Sequence, residues 1–487
     1  MTTQYKKELV KNTIWNTLER FSLLGVQLIC TFVLARFLTP SDFGIVGMLV
    51  VFTAIAQILI ESGFGIAIIR EKEVSPIDYS SVFYLNLLIA IAIYTLLYFC
   101  TPLIAGFYHE PILEEVCKVT FLVIPLFALQ LIQTTILQRN LQFKKLAVIA
   151  FVSSGSSSII AIVLAYYLRN VWALVLQNLM TYLFKTLLLW IYGRWHPILK
   201  FSWSPVKKYF RFSRNLLLSG LVGSVFNNIN ALLIGHFYTS TDLGFYSQAN
   251  RVTDIASHQM TGVIKSVSYP VLSKVNNEGG NLREGYRKVI LVTLIFVGSI
   301  VALLMGVSQD IMELLMGSSE WRVAGKYIFI LGIAGILYPL HAINQNILTV
   351  KGNGKSILYL EITRRVIMVL ILAITVHFDV TVFVMGYSIY SFLLLFLNLY
   401  VCGKPISYSV WEQFADVLPV FLRHATMIGV ALLSNYMLGD AHIWVRILTT
   451  LFVSICCGIL LFYKHPQFKD INEMVMPQIH KFKCLKR

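Results

Sequence analysis

The sequence predicts an all-α polytopic membrane protein with about fourteen transmembrane helices. Three observations carry this. The chain of 487 residues is 57% hydrophobic and only 13% charged, about half the charge of a soluble domain. Apolar runs of spanning length recur along it. Lys and Arg gather in every second connection between those runs.

A spanning helix needs about 20 mostly apolar residues. Such runs fall at 15–37, 42–69, 80–102, 115–137, 146–168, 171–193, 215–236, 241–267, 289–308, 327–349, 356–377, 380–402, 418–437 and 443–463. Spans two and eight read as the weakest by hydropathy. The opening MTTQYKKELVKNTIW has no cleavage site and runs into span one, so it reads as a retained helix. With the N-terminus inside, the inner connections hold most of the 40 Lys and Arg residues, among them Lys6, Lys7, Arg139, Lys144, Lys207, Lys208, Lys351 and Lys355. The outer ones hold only Arg169, Arg322 and Lys326. The bias places both termini in the cytoplasm. It also accounts for most of the +16 formal charge without nucleic acid, and turns the inner loops toward anionic lipid headgroups. The basic, aromatic segment RWHPILKFSWSPVKKYFRFSR (194–214) reads as interfacial. The seven cysteines form no C-x-x-C and fall mostly in apolar runs, where they serve as small buried hydrophobes.

An internal repeat divides the chain. FLTPSDFG (37–44) returns as FYTSTDLG (237–244), and QLIQTTIL (130–137) as HAINQNIL (341–348). The copies occupy equivalent spans six helices apart, which makes the repeat parallel. The expected organisation is an N-terminal lobe over 1–200, a C-terminal lobe over 201–405, and spans thirteen and fourteen with a basic cytoplasmic tail over 406–487. In each phrase Thr stands three residues before Asp, and Pro40 takes the first helical position. This is the spacing of a capping box with Asp for Glu, so each phrase is expected to start a helix at the outer surface.

Span eight carries Ser247, Asn250, Arg251, Asp254, His258, Thr261 and Lys265 on one arc of about 100°, with Phe245, Ala249, Val252, Ala256 and Val263 opposite. Ionised groups on such an arc cannot face lipid without a cost of several kcal/mol. Span one and its lead-in repeat the pattern with Asn12, Asn16, Arg20, Gln27 and Thr31. Span two adds Gln57 and Glu61, span seven Asn227, Asn228 and Asn230, and span eleven Glu361, Arg364 and Arg365. Two readings stay open. One is a water-filled cavity between the lobes, where Arg20, Arg251 and Lys265 meet an anionic substrate. The other is interhelical pairing, such as Arg251 with Asp254, and snorkelling near span ends, as for Arg364 and Arg365. His258 by itself reads as a satisfied buried histidine.

Several catalytic motifs fail. KGNGKS (351–356) looks like a phosphate loop, but the spacing needs glycine where Thr349 stands, and it follows a span rather than a strand. No H-E-x-x-H, metal-spaced Cys/His cluster or G-x-S-x-G is present. No catalytic residues and no metal ligands are expected.

LARFLTPSDFGIVGML (34–49), ESGFGIAIIREKEVSPIDYSSVFYLNL (61–87), LQRNLQFKKLA (137–147) and RFSRNLLLSG (211–220) resemble bacterial oligosaccharide-lipid flippases of the polysaccharide transporter family, nearest to its colanic-acid-exporter-like members. That family sits in a larger group with multidrug and toxin extrusion transporters and lipid II flippases. The resemblance covers most of residues 10–400 and weakens over spans nine to fourteen. It implies two six-helix lobes in a V around a central cavity, working by alternating access. The implied substrate is an undecaprenyl-pyrophosphate-linked oligosaccharide in the bacterial cytoplasmic membrane, with a polysaccharide polymerase and glycosyltransferases as partners.

Arg20, Arg251 and Lys265 match the cations that related flippases place in spans one and eight. Span two departs from that pattern, offering Glu61 in place of arginine. Spans thirteen and fourteen are implied to hold the polyprenyl tail. No cofactor is implied beyond coupling to a Na⁺ or H⁺ gradient or the membrane potential, for which Glu61, Asp254 and Glu361 are the candidate acids. The expected cavity set is thus Arg20, Gln27, Gln57, Glu61, Asn227, Asn228, Asn250, Arg251, Asp254, His258 and Lys265. Two competing functions remain. A multidrug cation exporter of the same fold would carry an acidic, aromatic cavity. A membrane polysaccharide polymerase or ligase would need a large catalytic outer loop, which this chain lacks.

Overall fold

The computed structural model describes residues 23–439 and 441–463. Among them every regular element is helical. The first half comprises α1 (Leu23–Leu34), α2 (Pro40–Glu61), α3 (Phe64–Arg70), α4 (Pro76–Phe99), α5 (Thr101–Tyr108), α6 (Leu113–Thr120), α7 (Val123–Arg139), α8 (Phe143–Leu168), α9 (Trp172–Gly193) and α10 (Trp203–Phe237). The second comprises α11 (Ser240–Asp254), a π-helical turn (Ile255–Gln259), α12 (Met260–Asn277), α13 (Leu282–Met316), α14 (Arg322–Val350), α15 (Gly354–Thr375), α16 (Val380–Gly403), α17 (Val410–Met437) and α18 (Ile443–Phe462).

Among the described residues, eleven stretches are long and apolar enough to cross a membrane. The three expected spans not among them are span one, of which Leu23–Leu34 is described, span eight (α11 to α12) and span eleven (α15). Span two was expected to be weak, and this is corrected. Its window reaches a mean hydropathy of 2.5, and the stretch runs Pro40–Arg70. Spans eight and eleven fall short because each carries Lys, Arg and acidic side chains along its length.

Both repeated phrases build the expected helix starts. The Thr39 N–H donates to Asp42 Oδ2 at 2.8 Å, and the Asp42 N–H to Thr39 Oγ1 at 3.4 Å. Thr239 and Asp242 repeat the exchange at 3.3 and 3.1 Å. Each box satisfies orphan N–H groups and sets an acid at the positive end of the helix. The phrases also touch each other. The Ser41 and Ser240 hydroxyls lie 2.8 Å apart. A Cβ on Gly44 would stand 1.7 Å from the Ser240 carbonyl oxygen, and one on Gly244 1.8 Å from that of Pro40. Each phrase glycine therefore admits the backbone of the other copy. At its far end α2 breaks where Ser62 (φ 42°) and Gly63 (φ 69°) turn left-handed.

The chain divides into two compact units, one ending at Ser247 and the next beginning at Gln248. In the first, α10 packs on α2, α3 and α4. Small hydroxyl residues let α8 and α9 approach closely, as transmembrane helices require: Ser153, Ser154, Ser157 and Ser158 are buried, and Ser157 meets Thr181 at 2.6 Å. In the second unit α13 and α14 form the core, with Leu294, Val297, Val301, Leu340, Ile343 and Ile347 buried.

The C-terminal pair is anchored to α13 from both ends. Arg446 of α18 and Arg322 of α14 share the buried Asp310 Oδ1 at 2.6 and 3.0 Å. At the opposite end Arg283 pairs with Glu412 at 2.8 Å, and Arg287 with Asp416. Asp416 also accepts from Tyr408. Burial, and then this carboxylate, hold the Tyr408 phenol above its usual pKa.

Candidate functional site

Span eight carries the largest group of expected residues, and its helix is irregular. The π-helical turn Ile255–Gln259 inserts into it, a rare feature concentrated at functional positions. The wider turn lets two residues of the same helix reach one carboxylate. His258 Nδ1 lies 2.8 Å from Asp254 Oδ1, and Gln259 Nε2 donates to Asp254 Oδ2 at 3.0 Å. His258 stacks on Tyr338 at 3.7 Å between ring centroids. It is a satisfied, half-buried histidine, in line with the expectation.

The turn meets a second irregularity in α14. Pro339 lies inside that helix and has no N–H, so the carbonyl of Gly335, four residues earlier, loses its helical donor. Ser257 Oγ, from the π turn, donates to that carbonyl at 2.7 Å. The proline kink and the π turn thus complete each other.

Six residues beyond the π turn, Lys265 begins a polar chain that crosses four helices of the second unit. Lys265 Nζ donates to Gln345 Oε1 at 3.0 Å, and Gln345 Nε2 to Glu361 Oε1 at 3.0 Å. Glu361 pairs with Arg364 at 3.0 Å and Arg365 at 3.9 Å. Arg364 Nη2 donates to Asn398 Oδ1 at 3.1 Å. Asn398 Nδ2 lies 3.0 Å from His341 Nδ1, whose Nε2 lies 3.1 Å from Ser391 Oγ. Asn346 Nδ2 ties the Lys265 carbonyl and Ser268 Oγ to α14 at 3.3 and 3.1 Å.

Snorkelling was the expected behaviour of Arg364, and here it is corrected. Its side chain is only 18% exposed and lies about 15 Å along α15 from the helix start. Its guanidinium turns inward, where Nη1 meets Glu361 and Nη2 donates to Asn398. Around Glu361 stand Lys265, Arg364 and Arg365, so this cluster has more positive than negative charge.

The remaining expected residues are spread more widely. Arg251 is half-buried and Asn250 exposed on α11. In the first unit Gln57 Nε2 donates to Glu61 Oε1 at 2.8 Å, with Glu61 exposed at the end of α2. Gln27 is exposed, and its carbonyl accepts from Thr31 Oγ1 at 2.8 Å. Asn227 is exposed, Asn228 donates to the Ser224 carbonyl at 2.8 Å, and the buried Asn230 donates to Tyr246 Oη at 3.1 Å. Arg20, Asn12 and Asn16 lie outside the described residues. Gln345, His341, Asn398, Ser257 and Tyr338 belong to the site without having been expected there. The signal for three site residues was present: HAINQNIL, read only as a repeat marker, supplies His341, Gln345 and Asn346.

The family model described as polysaccharide biosynthesis protein matches residues 33–326, more than half of the chain. The chain belongs to this polysaccharide biosynthesis protein family. It is 26% identical to the teichuronic acid biosynthesis protein TuaB of Bacillus subtilis over 475 residues, covering 95% of this chain and 97% of TuaB. It is 24% identical to the succinoglycan biosynthesis transport protein ExoT of Rhizobium meliloti, covering 68% of this chain and 67% of ExoT. Among solved structures it superposes on the lipid II flippase MurJ in an inward closed conformation with a TM-score of 0.71. That match has 15% identity and covers 92% of this chain and 99% of MurJ. This family member therefore has the MurJ fold and is a multi-pass membrane protein. ExoT is a transport protein and MurJ a flippase.

Proposed function

We propose that this polysaccharide biosynthesis protein is an alternating-access flippase of the bacterial cytoplasmic membrane, with both termini inside. It turns an undecaprenyl-pyrophosphate-linked oligosaccharide from the inner to the outer leaflet for surface polysaccharide assembly. The observation that carries this reading is the cluster of Lys265, Arg364 and Arg365 around the single carboxylate of Glu361. Cations within a spanning helix are costly, and a pyrophosphate or acidic sugar is the kind of group that three cations around one carboxylate would bind. The hydroxyl, amide and imidazole groups along the same chain suit sugar hydroxyls. A hydrated sugar and a pyrophosphate cannot cross about 30 Å of hydrocarbon unaided.

Arg20 and Arg251 remain proposed head-group contacts, as do the uncharged residues Gln27, Gln57, Asn227, Asn228 and Asn250. Coupling to a Na⁺ or H⁺ gradient requires an acid that can exchange partners. Asp254, which meets His258 and Gln259, and Glu361, which meets Arg364 and Arg365, are the candidates. The positive surplus argues against a multidrug cation exporter, whose site would be acidic.

The test replaces Lys265 and Arg364 together by Ala in the producing bacterium. The expected result is loss of surface polysaccharide, with the lipid-linked repeat unit accumulating in the inner leaflet. Normal surface polymer from a correctly inserted double variant would sink the assignment.

A further inference from the structure

The motif KGNGKS has no phosphate-loop geometry, yet three of its residues line a cavity. The cavity has a volume of about 540 Å³ and lies where α15 begins and α16 ends. Its walls include Asn353, Lys355, Ser356, Tyr359, Tyr400 and Lys404. The charge bias assigns this end of the second unit to the cytoplasmic side. We propose that it is a binding site for the headgroup of an anionic phospholipid of the inner leaflet.

Four features select that ligand. Lys355 and Lys404 bring two positive charges, and neither forms a salt bridge among the described residues. Lys404 Nζ sits 6.0 Å from the centre of the Tyr400 ring, which leaves its ammonium held but unneutralised. Neutral donors stand beside them. Asn353 Oδ1 accepts from the Ser356 N–H at 3.1 Å, and this leaves Asn353 Nδ2 and Ser356 Oγ for a phosphate oxygen. Finally, the cavity opens to the bilayer edge. Tyr359 is 58% and Tyr400 59% exposed, next to the equally exposed Leu358. Tyrosines with a wet hydroxyl and an apolar ring settle at the headgroup level, and basic pockets between transmembrane helices on the cytoplasmic side take anionic headgroups. A soluble phosphate or nucleotide would not need the apolar flank. The volume is in the range of a small-molecule site.

The test uses the full-length protein in detergent, with bound lipid counted by native mass spectrometry. The probes are phosphatidylglycerol and phosphatidylcholine of equal chain length, and geranylgeranyl diphosphate as a polyprenyl diphosphate. The wild type is expected to retain phosphatidylglycerol in preference to phosphatidylcholine. The K355Q/K404Q variant should bind phosphatidylglycerol about thirtyfold more weakly, since each lysine near a headgroup contributes roughly a factor of five. K351Q, at the neighbouring lysine outside the cavity, should leave binding unchanged.

Equal retention of the two phospholipids, or an equal loss in K351Q, would overturn the site. Tighter binding of geranylgeranyl diphosphate than of phosphatidylglycerol, lost in K355Q/K404Q, would overturn the phospholipid assignment in favour of a substrate entry site. The readout is lipid binding rather than surface polymer, so its failure is distinct from failure of the flippase reading.

Discussion

Two pairs of repeated segments have had different fates in this molecule. The phrases at 37–44 and 237–244 are alike in residues and in structure, with the same capping box and the same glycine at the same step. The octapeptides at 130–137 and 341–348 share a position but not a chemistry. In the first octapeptide Gln130 crosses from α7 to α9, donating to Thr186 Oγ1 at 2.8 Å and the Tyr182 carbonyl at 2.9 Å. In the second, His341 crosses from α14 to α16 to meet Ser391 at 3.1 Å. The link between the fourth and sixth helices of each repeat is kept. Among the described residues the first copy's hydrogen bonds are to neutral groups, including Gln133 with the Trp195 carbonyl at 2.8 Å. The second places Gln345 between Lys265 and Glu361.

The difference has a physical reason. The phrases pack on each other, so a side chain added to either meets the backbone of the other, and both are held to glycine. The octapeptides each have partners of their own, so one can gain charge while the other stays neutral. A duplicated position fixes geometry, and its partners decide its chemistry.

The largest effect should come from Glu361→Ala, which leaves Lys265, Arg364 and Arg365 facing one another. Removing one member of a fully buried ion pair costs about 3–5 kcal/mol, and this half-buried cluster should lose less because solvent screens it. Thermal unfolding in nanodiscs should show a clear drop, partly recovered when Arg364→Gln is added. No drop would mean that the charges are solvated separately.

Next in size is Gly44→Val, where the new Cβ must displace the Ser240 carbonyl. Overpacking of this kind costs about 1–3 kcal/mol. The same loss is expected from Gly244→Val, because the contact is reciprocal. A large loss in one variant with none in the other would break the symmetry of the phrases.

The smallest effect is expected from Gln130→Leu. Interhelical hydrogen bonds in membranes contribute about 0.6–2 kcal/mol, so stability should fall slightly and surface polysaccharide should be unchanged. Gln345→Leu, at the neighbouring step of the other copy, should have a similar stability cost but abolish surface polysaccharide. Equal phenotypes would show that the two octapeptides do not differ in role.

The polar arc of span eight shows how far the sequence alone could go. Its period placed Asp254, His258 and Lys265 together, and the cost of ionised groups in lipid turned that face inward. The arc assumed a regular helix. The π turn shifts the phase after Asp254, and nothing in IASHQ announces it. Its acceptor, the Gly335 carbonyl, is freed by Pro339 in another helix. Glu361 was read as a possible coupling acid and Arg364 as a snorkelling cation. Only the approach of Gln345 and Asn398 shows that they are members of one chain of contacts.

By itself the sequence determined the helical class, most of the spans, the capped helix starts and the polar face of span eight. All of these follow from local periodicity, composition and short spacings along one segment. The tertiary structure decided which polar groups meet, because Lys265 with Gln345, Ser257 with Gly335 and Arg364 with Asn398 join different helices. It also decided why the phrases are glycine-bearing. The capping box is local to each copy and could be read from four residues, whereas the fit of Gly44 against Ser240 exists only when the copies pack together.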